Sequence, residues 1–119
     1  MNIKLFDSEI KVMEVIWKEG DLPAKFIAKT LGESIGWNKN TTYTVIKKCV
    51  EKGAIKRSEP NFICHALISK EDVQSTEVDE LVDKLFDGST ELLFASLVGR
   101  KKLPNNMIEK LKGIVGESK

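Results

Sequence analysis

The hydrophobic period of this chain changes once between Ser8 and Leu67, and that change narrows the folds open to it. Before Gly53 the apolar residues recur at the three-to-four-residue spacing of helices; after it they fall in two short strand-like runs. The helical part is itself divided. Ser8 to Lys18 sets Ile10, Val12, Met13, Val15, Ile16 and Trp17 at mostly helical spacing behind Asp7 or Ser8 as the N-cap, and Gly20 stops it. A second helix begins at Pro23, presents Phe26, Ile27 and Leu31 and halts before Gly32. A third runs from about Asn40 to Lys52, with Gly53 as its C-terminal stop. Ala54 to Arg57 and Phe62 to Leu67, separated by Ser58, Glu59, Pro60 and Asn61, then read as a β-hairpin. Three helices and a hairpin is the order of a winged helix-turn-helix, whose third helix can enter the DNA major groove. Many small α+β domains share that order, so order by itself leaves function open.

The chain turns helical again at Ser69. In SKED, Asp72 lies three residues after Ser69, a carboxylate variant of the capping box. Val73, Val78, Leu81, Val82, Leu85 and Phe86 follow up to Gly88. A second helix from Ser89 carries Leu92, Leu93, Phe94, Leu97 and Val98, and a third near Pro104 carries Ile108, Leu111, Ile114 and Val115. Some fifty residues with this much apolar surface cannot easily bury it alone. A two-fold partner supplying the same surface is the simplest remedy; the alternative is that the arm folds back on the N-terminal part of its own chain. The expected class is mainly α with a small β-hairpin: a winged-helix head over residues 1–69 and a helical dimerisation arm over 70–119. Leu81, Leu85, Leu93 and Leu97 are the expected interface positions.

Charge separates the two halves. Residues 1 to 70 hold 12 Lys/Arg against 8 Asp/Glu, net +4, and residues 71 to 119 hold 7 against 10, net −3, so the halves should meet different partners. Between Lys39 and Arg57 the cations Lys39, Lys47, Lys48, Lys52, Lys56 and Arg57 face only Glu51, which marks either a phosphate-binding stretch or a solvated helix face. No apolar run approaches the roughly 20 residues of a membrane span, and MNIKLFDSEI lacks the features of a secretory signal, so a cytoplasmic protein without a membrane partner is expected. Cys49 and Cys64 sit inside apolar patterns and are read as buried free thiols rather than a disulfide. His65, the single histidine, has no cysteine or carboxylate cluster at metal-ligand spacing and is read as a wing residue. No phosphate loop, dinucleotide fingerprint or nucleophile elbow is present; neither an enzyme, a metal nor a cofactor is expected.

Within NTTYTVIKKCVEK, Thr42, Val45, Ile46, Cys49 and Val50 recur on one helix face and should meet the core. The other face then presents Asn40, Thr41, Tyr43, Thr44, Lys47, Lys48 and Glu51. Short polar groups near the helix start suit base edges, and the lysines beyond suit phosphates. Asn40 can pair with adenine, and the Thr methyls and the Tyr43 ring can meet the thymine methyl, although Asn40 or Thr41 can equally cap the helix. The residues expected to contact DNA are Lys39, Asn40, Thr41, Tyr43, Thr44, Lys47, Lys48 and Arg57. The competing reading is a winged-helix module that binds another protein, its basic face merely solvated.

Three segments, DSEIKVMEVIWKEG, GWNKNTTYTVIKKCVEKGAIKR and VDELVDKLFDGS, together resemble the penicillinase-repressor family of bacterial transcription repressors, of BlaI/MecI/CopY type. The resemblance implies a homodimer on palindromic double-stranded operator DNA, with the winged helix on the DNA and the C-terminal helices forming the dimer. It also implies an inducing protease as a partner, because the β-lactam branch is cleaved at an Asn-Phe bond in the arm. That site aligns here with Ser96-Leu97, so the bond is not preserved. The copper-responsive branch carries paired cysteines in the arm; this arm has none, which excludes copper sensing through that motif. The regulated gene and the inducing signal stay open.

Overall fold

A computed structural model describes residues 3–99 and 106. The chain forms two compact units, Met1–Thr76 and Glu77–Lys119. The first, the head, contains α1 (Asp7–Glu19), β1 (Leu22–Pro23), α2 (Ala24–Ile35), α3 (Lys39–Glu51), β2 (Ile55–Ser58), β3 (Ile63–Ala66) and the start of α4 (Lys70–Leu85). The strands form one antiparallel sheet in the order β1-β3-β2, with Leu22 opposite Cys64 and Arg57 also opposite Cys64 across the other edge. The hairpin is thus present, and a third strand of two residues lies beside it. That strand gave no periodic signal because two residues cannot show an alternation.

The head helices bury most of the faces their spacing predicts; the exception is Phe26, which is exposed because the buried stripe of α2 runs through Ala24, Ile27, Ala28 and Leu31 instead. Val12, Met13 and Ile16 of α1, Ala24, Ile27 and Leu31 of α2, and Val45, Ile46 and Cys49 of α3 meet around one core that Ile55, Cys64 and Val73 complete. Val73 belongs to α4, so the first turn of that helix is part of the head core. Trp17 fixes the same joint from the other side: its indole Nε1–H donates to the Ile68 carbonyl at 3.0 Å.

Helix ends differ in detail from the sequence expectation. Phe6, rather than Asp7 or Ser8, is the N-cap of α1, and Glu9 reaches back to accept from the Phe6 N–H at 2.7 Å. Pro23 caps α2 from outside, and the helix continues through Gly32 to Ile35. Gly32 does not stop it. This glycine lies within the helix, where a side chain would meet the Trp37 carbonyl oxygen at 3.4 Å, and the true stop is Gly36 at φ +75. Gly53, at φ +84, ends α3 as expected.

Both cysteines are free and buried. Burial, reinforced by the Glu9 carboxylate, pushes the Cys49 thiol up to about 12; burial pushes Cys64 up to about 11 against the opposing effect of Arg57. The thiols are protonated, unreactive packing groups.

In the second unit α4 runs on to Leu85 and α5 spans Thr90–Gly99. The start of α4 carries the expected reciprocal box: Ser69 Oγ accepts from the Asp72 N–H at 3.0 Å, and Asp72 Oδ2 accepts from the Ser69 N–H at 3.2 Å. Ser89 Oγ caps α5 by accepting from the Leu92 N–H at 3.2 Å. Val82 is buried, whereas Val78, Leu81, Leu85 and Leu92 are exposed and no residue of α5 is buried. Leu93 and Leu97 are half-buried. The helix expected near Pro104, with Ile108, Leu111, Ile114 and Val115, lies outside the described residues apart from Asn106, which is helical. No helix among the described residues is long and apolar enough to cross a membrane.

Candidate nucleic-acid interface

The face that α3 leaves uncovered is built by how the helix is held. Its buried side supplies Thr42, Val45, Ile46 and Cys49. At its N-terminus Asn38 is the cap, its side-chain oxygen accepting from the Thr41 N–H at 2.8 Å. This settles an ambiguity of the sequence: neither Asn40 nor Thr41 has to cap, and both are exposed. At the other end Lys52 donates to Glu9 Oε1 at 2.6 Å and to the Lys4 carbonyl at 2.9 Å, with its ammonium 4.1 Å from the centre of the Phe6 ring. Glu9 is only 1% exposed. Lys52, part of the basic stretch, therefore fastens α3 to the start of α1 and is engaged within the protein, although partly exposed.

Lys39, Asn40, Thr41, Thr44, Lys47 and Lys48 are exposed along the outer face of α3, and Tyr43 is half-buried at its margin. The Thr44 hydroxyl donates to the Asn40 carbonyl at 2.9 Å, so the side chain turns its methyl and oxygen lone pairs outward. Such a group can meet a thymine methyl or accept from a base amine.

A chain of cations and rings joins this face to the hairpin. The Lys39 ammonium lies 5.9 Å from the Tyr43 ring centre, Tyr43 meets Phe62 edge-on at 6.0 Å and 67°, and the Arg57 guanidinium lies 3.6 Å from the centre of Phe62. Arg57 also pairs with Glu59. The hairpin is thus set against α3 by its own side chains, with Lys56 exposed on the same strand as Arg57.

One further arrangement has no signal in the order of residues along the chain. His65 Nε2 and Ser58 Oγ are 2.7 Å apart, and His65 Nδ1 lies 2.8 Å from Asp21 Oδ2. Ser58 ends β2, His65 is in β3 and Asp21 immediately precedes β1, so the three side chains tie all three strands together. The line of groups has the connectivity of a hydrolytic triad, but it spans the sheet and ties the turn end of β2 through β3 to the start of β1.

The chain matches the penicillinase-repressor family over residues 5–117. It belongs to that family. Among curated relatives, the methicillin resistance regulatory protein MecI of Staphylococcus aureus (strain N315) and that of Mammaliicoccus sciuri are each 24% identical over 116 residues, covering 96% of this chain and 94% of theirs. Among solved structures, the DNA-binding domain of the repressor BlaI matches with a TM-score of 0.55 and 26% identity, over 60% of this chain and 90% of that one. The monomeric form of Bacillus licheniformis BlaI in complex with the blaP half-operator matches with a TM-score of 0.53 and the same identity and coverage. The protein is therefore a DNA-binding repressor of the BlaI/MecI type, with a winged-helix head, and not an enzyme.

Proposed function

We propose that the protein is a dimeric, sequence-specific transcriptional repressor that occupies a palindromic operator in the cytoplasm. In each head α3 enters a major groove: Asn40, Thr41, Tyr43 and Thr44 meet base edges, while Lys39, Lys47, Lys48 and Arg57 hold the flanking phosphates. The observation that carries this reading is the division of α3 itself. One face is locked into the core, the cap is supplied from outside the reading face, and what remains exposed is short and polar first and cationic afterwards. The solved BlaI half-operator complex supports DNA as the ligand of a head of this kind.

The arm, residues 70–119, makes the dimer, with Leu81, Leu85, Leu93 and Leu97 at its interface. Exposure of Leu81 and Leu85 on α4 supports this. Half-sites then lie about one helical turn of DNA, roughly 34–36 Å, or a multiple of it, apart. Release of the operator by a protease is the route of the resemblance; here it requires a bond other than the Asn-Phe of the β-lactam branch.

Gel-shift titrations across a salt series test the interface. Lys47→Ala or Lys48→Ala should weaken operator and random DNA alike and reduce the salt slope by about 1 each. Thr44→Ala should cost on the order of 1–3 kcal/mol, mainly against operator. Unchanged binding in all three variants removes α3 from the DNA, and a salt-insensitive affinity would favour a protein ligand instead.

A further inference from the structure

We propose that Glu59 is an internal stand-in for a DNA phosphate: it occupies the Arg57 guanidinium in the free protein and is exchanged for the DNA backbone when the hairpin docks. The inference rests on Arg57 being a DNA contact, as proposed above, and adds what controls that contact.

The geometry is a closed set of three residues at the hairpin tip. Arg57 lies on the Phe62 ring, its centre 3.6 Å from the ring centroid, and its Nε–H is held by Glu59 Oε2. The other carboxylate oxygen, Oε1, accepts from the Phe62 N–H at 3.4 Å. The carboxylate therefore spans the guanidinium and the backbone of the residue whose ring carries it. Asn61 at φ +74 and Phe62 at φ +50 reverse the chain between these groups, and the Phe62 ring also meets Tyr43 of α3. The guanidinium is thus placed relative to α3 before DNA arrives. Both charged partners face water, Arg57 at 45% exposed and Glu59 at 58%, so an incoming phosphate can reach the pair.

A guanidinium fork donates to carboxylate and phosphate oxygens in the same way. Because the pair is neutral, it adds little to long-range attraction. When phosphate replaces carboxylate, Glu59 takes up a cation as the DNA loses one, and the exchange gives almost no net counterion release. Arg57 then contributes placement at the docked hairpin without adding to indiscriminate attraction, and Glu59 lowers affinity for any duplex.

The test uses the full chain and a short duplex of random sequence, followed by anisotropy across a salt series, for the wild type, Glu59→Gln, Arg57→Ala and the double variant. Glu59→Gln should tighten binding by about two- to fivefold at low salt, the range open to an exposed ion pair, and steepen the salt slope by roughly 0.9. In the Arg57→Ala background the same change should give less than half the logarithmic gain. An equal gain in both backgrounds means plain repulsion by Glu59 and overturns the proposal. So does an unchanged affinity of Glu59→Gln when Arg57→Ala alone weakens binding. Arg57→Ala without effect is a different failure, since it removes Arg57 from the interface itself. The side-chain Nε–H resonance of Arg57 gives a second readout: it should move on Glu59→Gln in the free protein and on adding duplex to the wild type, and a signal indifferent to both would refute the exchange.

Discussion

Cys49 and Cys64 show how a residue can matter without chemistry. Each thiol lies in the core, and burial raises its proton affinity from the ordinary 9.0 to about 12 for Cys49 and about 11 for Cys64. In the unfolded chain the thiols lose their protons near pH 9, while in the head they keep them. Above about pH 9 the folded state thus binds more protons than the unfolded one, and stability must fall as pH rises. The contribution is whole below pH 9 and lost progressively towards the folded values. Urea unfolding across the alkaline range should show this decline, and Cys49→Ala, though less stable overall, should show a flatter one. An alkaline limb identical in wild type and variant would contradict the assignment. Thiol reagents should react slowly with the native protein for the same reason.

At the scale of elements, the decisive contact is the one that holds α3 to α1. Glu9 accepts from Lys52 and from the Phe6 N–H, so the start of one helix and the end of another share a single carboxylate. Removing one partner of a buried pair costs about 3–5 kcal/mol. Lys52 is partly in water and the Phe6 N–H stays in place, so Lys52→Ala should cost nearer ~2 kcal/mol, read from the urea midpoint. A loss below ~0.5 kcal/mol would mean that apolar packing alone sets α3. This contact was not legible in the sequence, because its partners lie 43 residues apart and Lys52 looked like one more cation of the basic stretch. Local devices were legible: Ser69 and Asp72 box the start of α4 as their three-residue spacing implies, and the buried face of α3 follows from helical spacing. Ambiguity arose where several residues could fill one role. At the start of α3 the expected caps are Asn40 and Thr41, and the structure uses Asn38, which that reading missed. The stop expected before Gly32 gives way to Gly36, where the backbone turns left-handed. The exposed residues of α3 follow from its period, whereas the partners of Arg57 depend on how the hairpin tip turns.

For the molecule as a whole, the proposed dimer makes affinity depend on having two heads more than on either one. Tethering makes the second binding event intramolecular and can raise overall affinity by about 10²–10⁴ without a new contact. Leu93→Glu should therefore leave a folded, mostly monomeric chain that binds random DNA as before but occupies operator poorly at equal concentration. Sedimentation with a parallel operator titration checks this, and a variant that stays dimeric, or binds the palindrome with wild-type strength, would show that Leu93 is not needed for the dimer. Any cut meant to isolate the head should fall after Thr76 rather than Ser69, since Val73 belongs to the head core.

The two tryptophans give these events separate optical signatures. Trp17 has its indole N–H bound to the Ile68 carbonyl, inside the head and just before α4 begins. Trp37 is half-buried and immediately precedes the Asn38 cap of α3. Emission from Trp37 should respond when DNA arrives, while emission from Trp17 should wait for the head to unfold. With Trp37→Phe and Trp17→Phe variants, one fluorimeter can then follow occupancy and integrity of the same molecule in a single unlabelled sample.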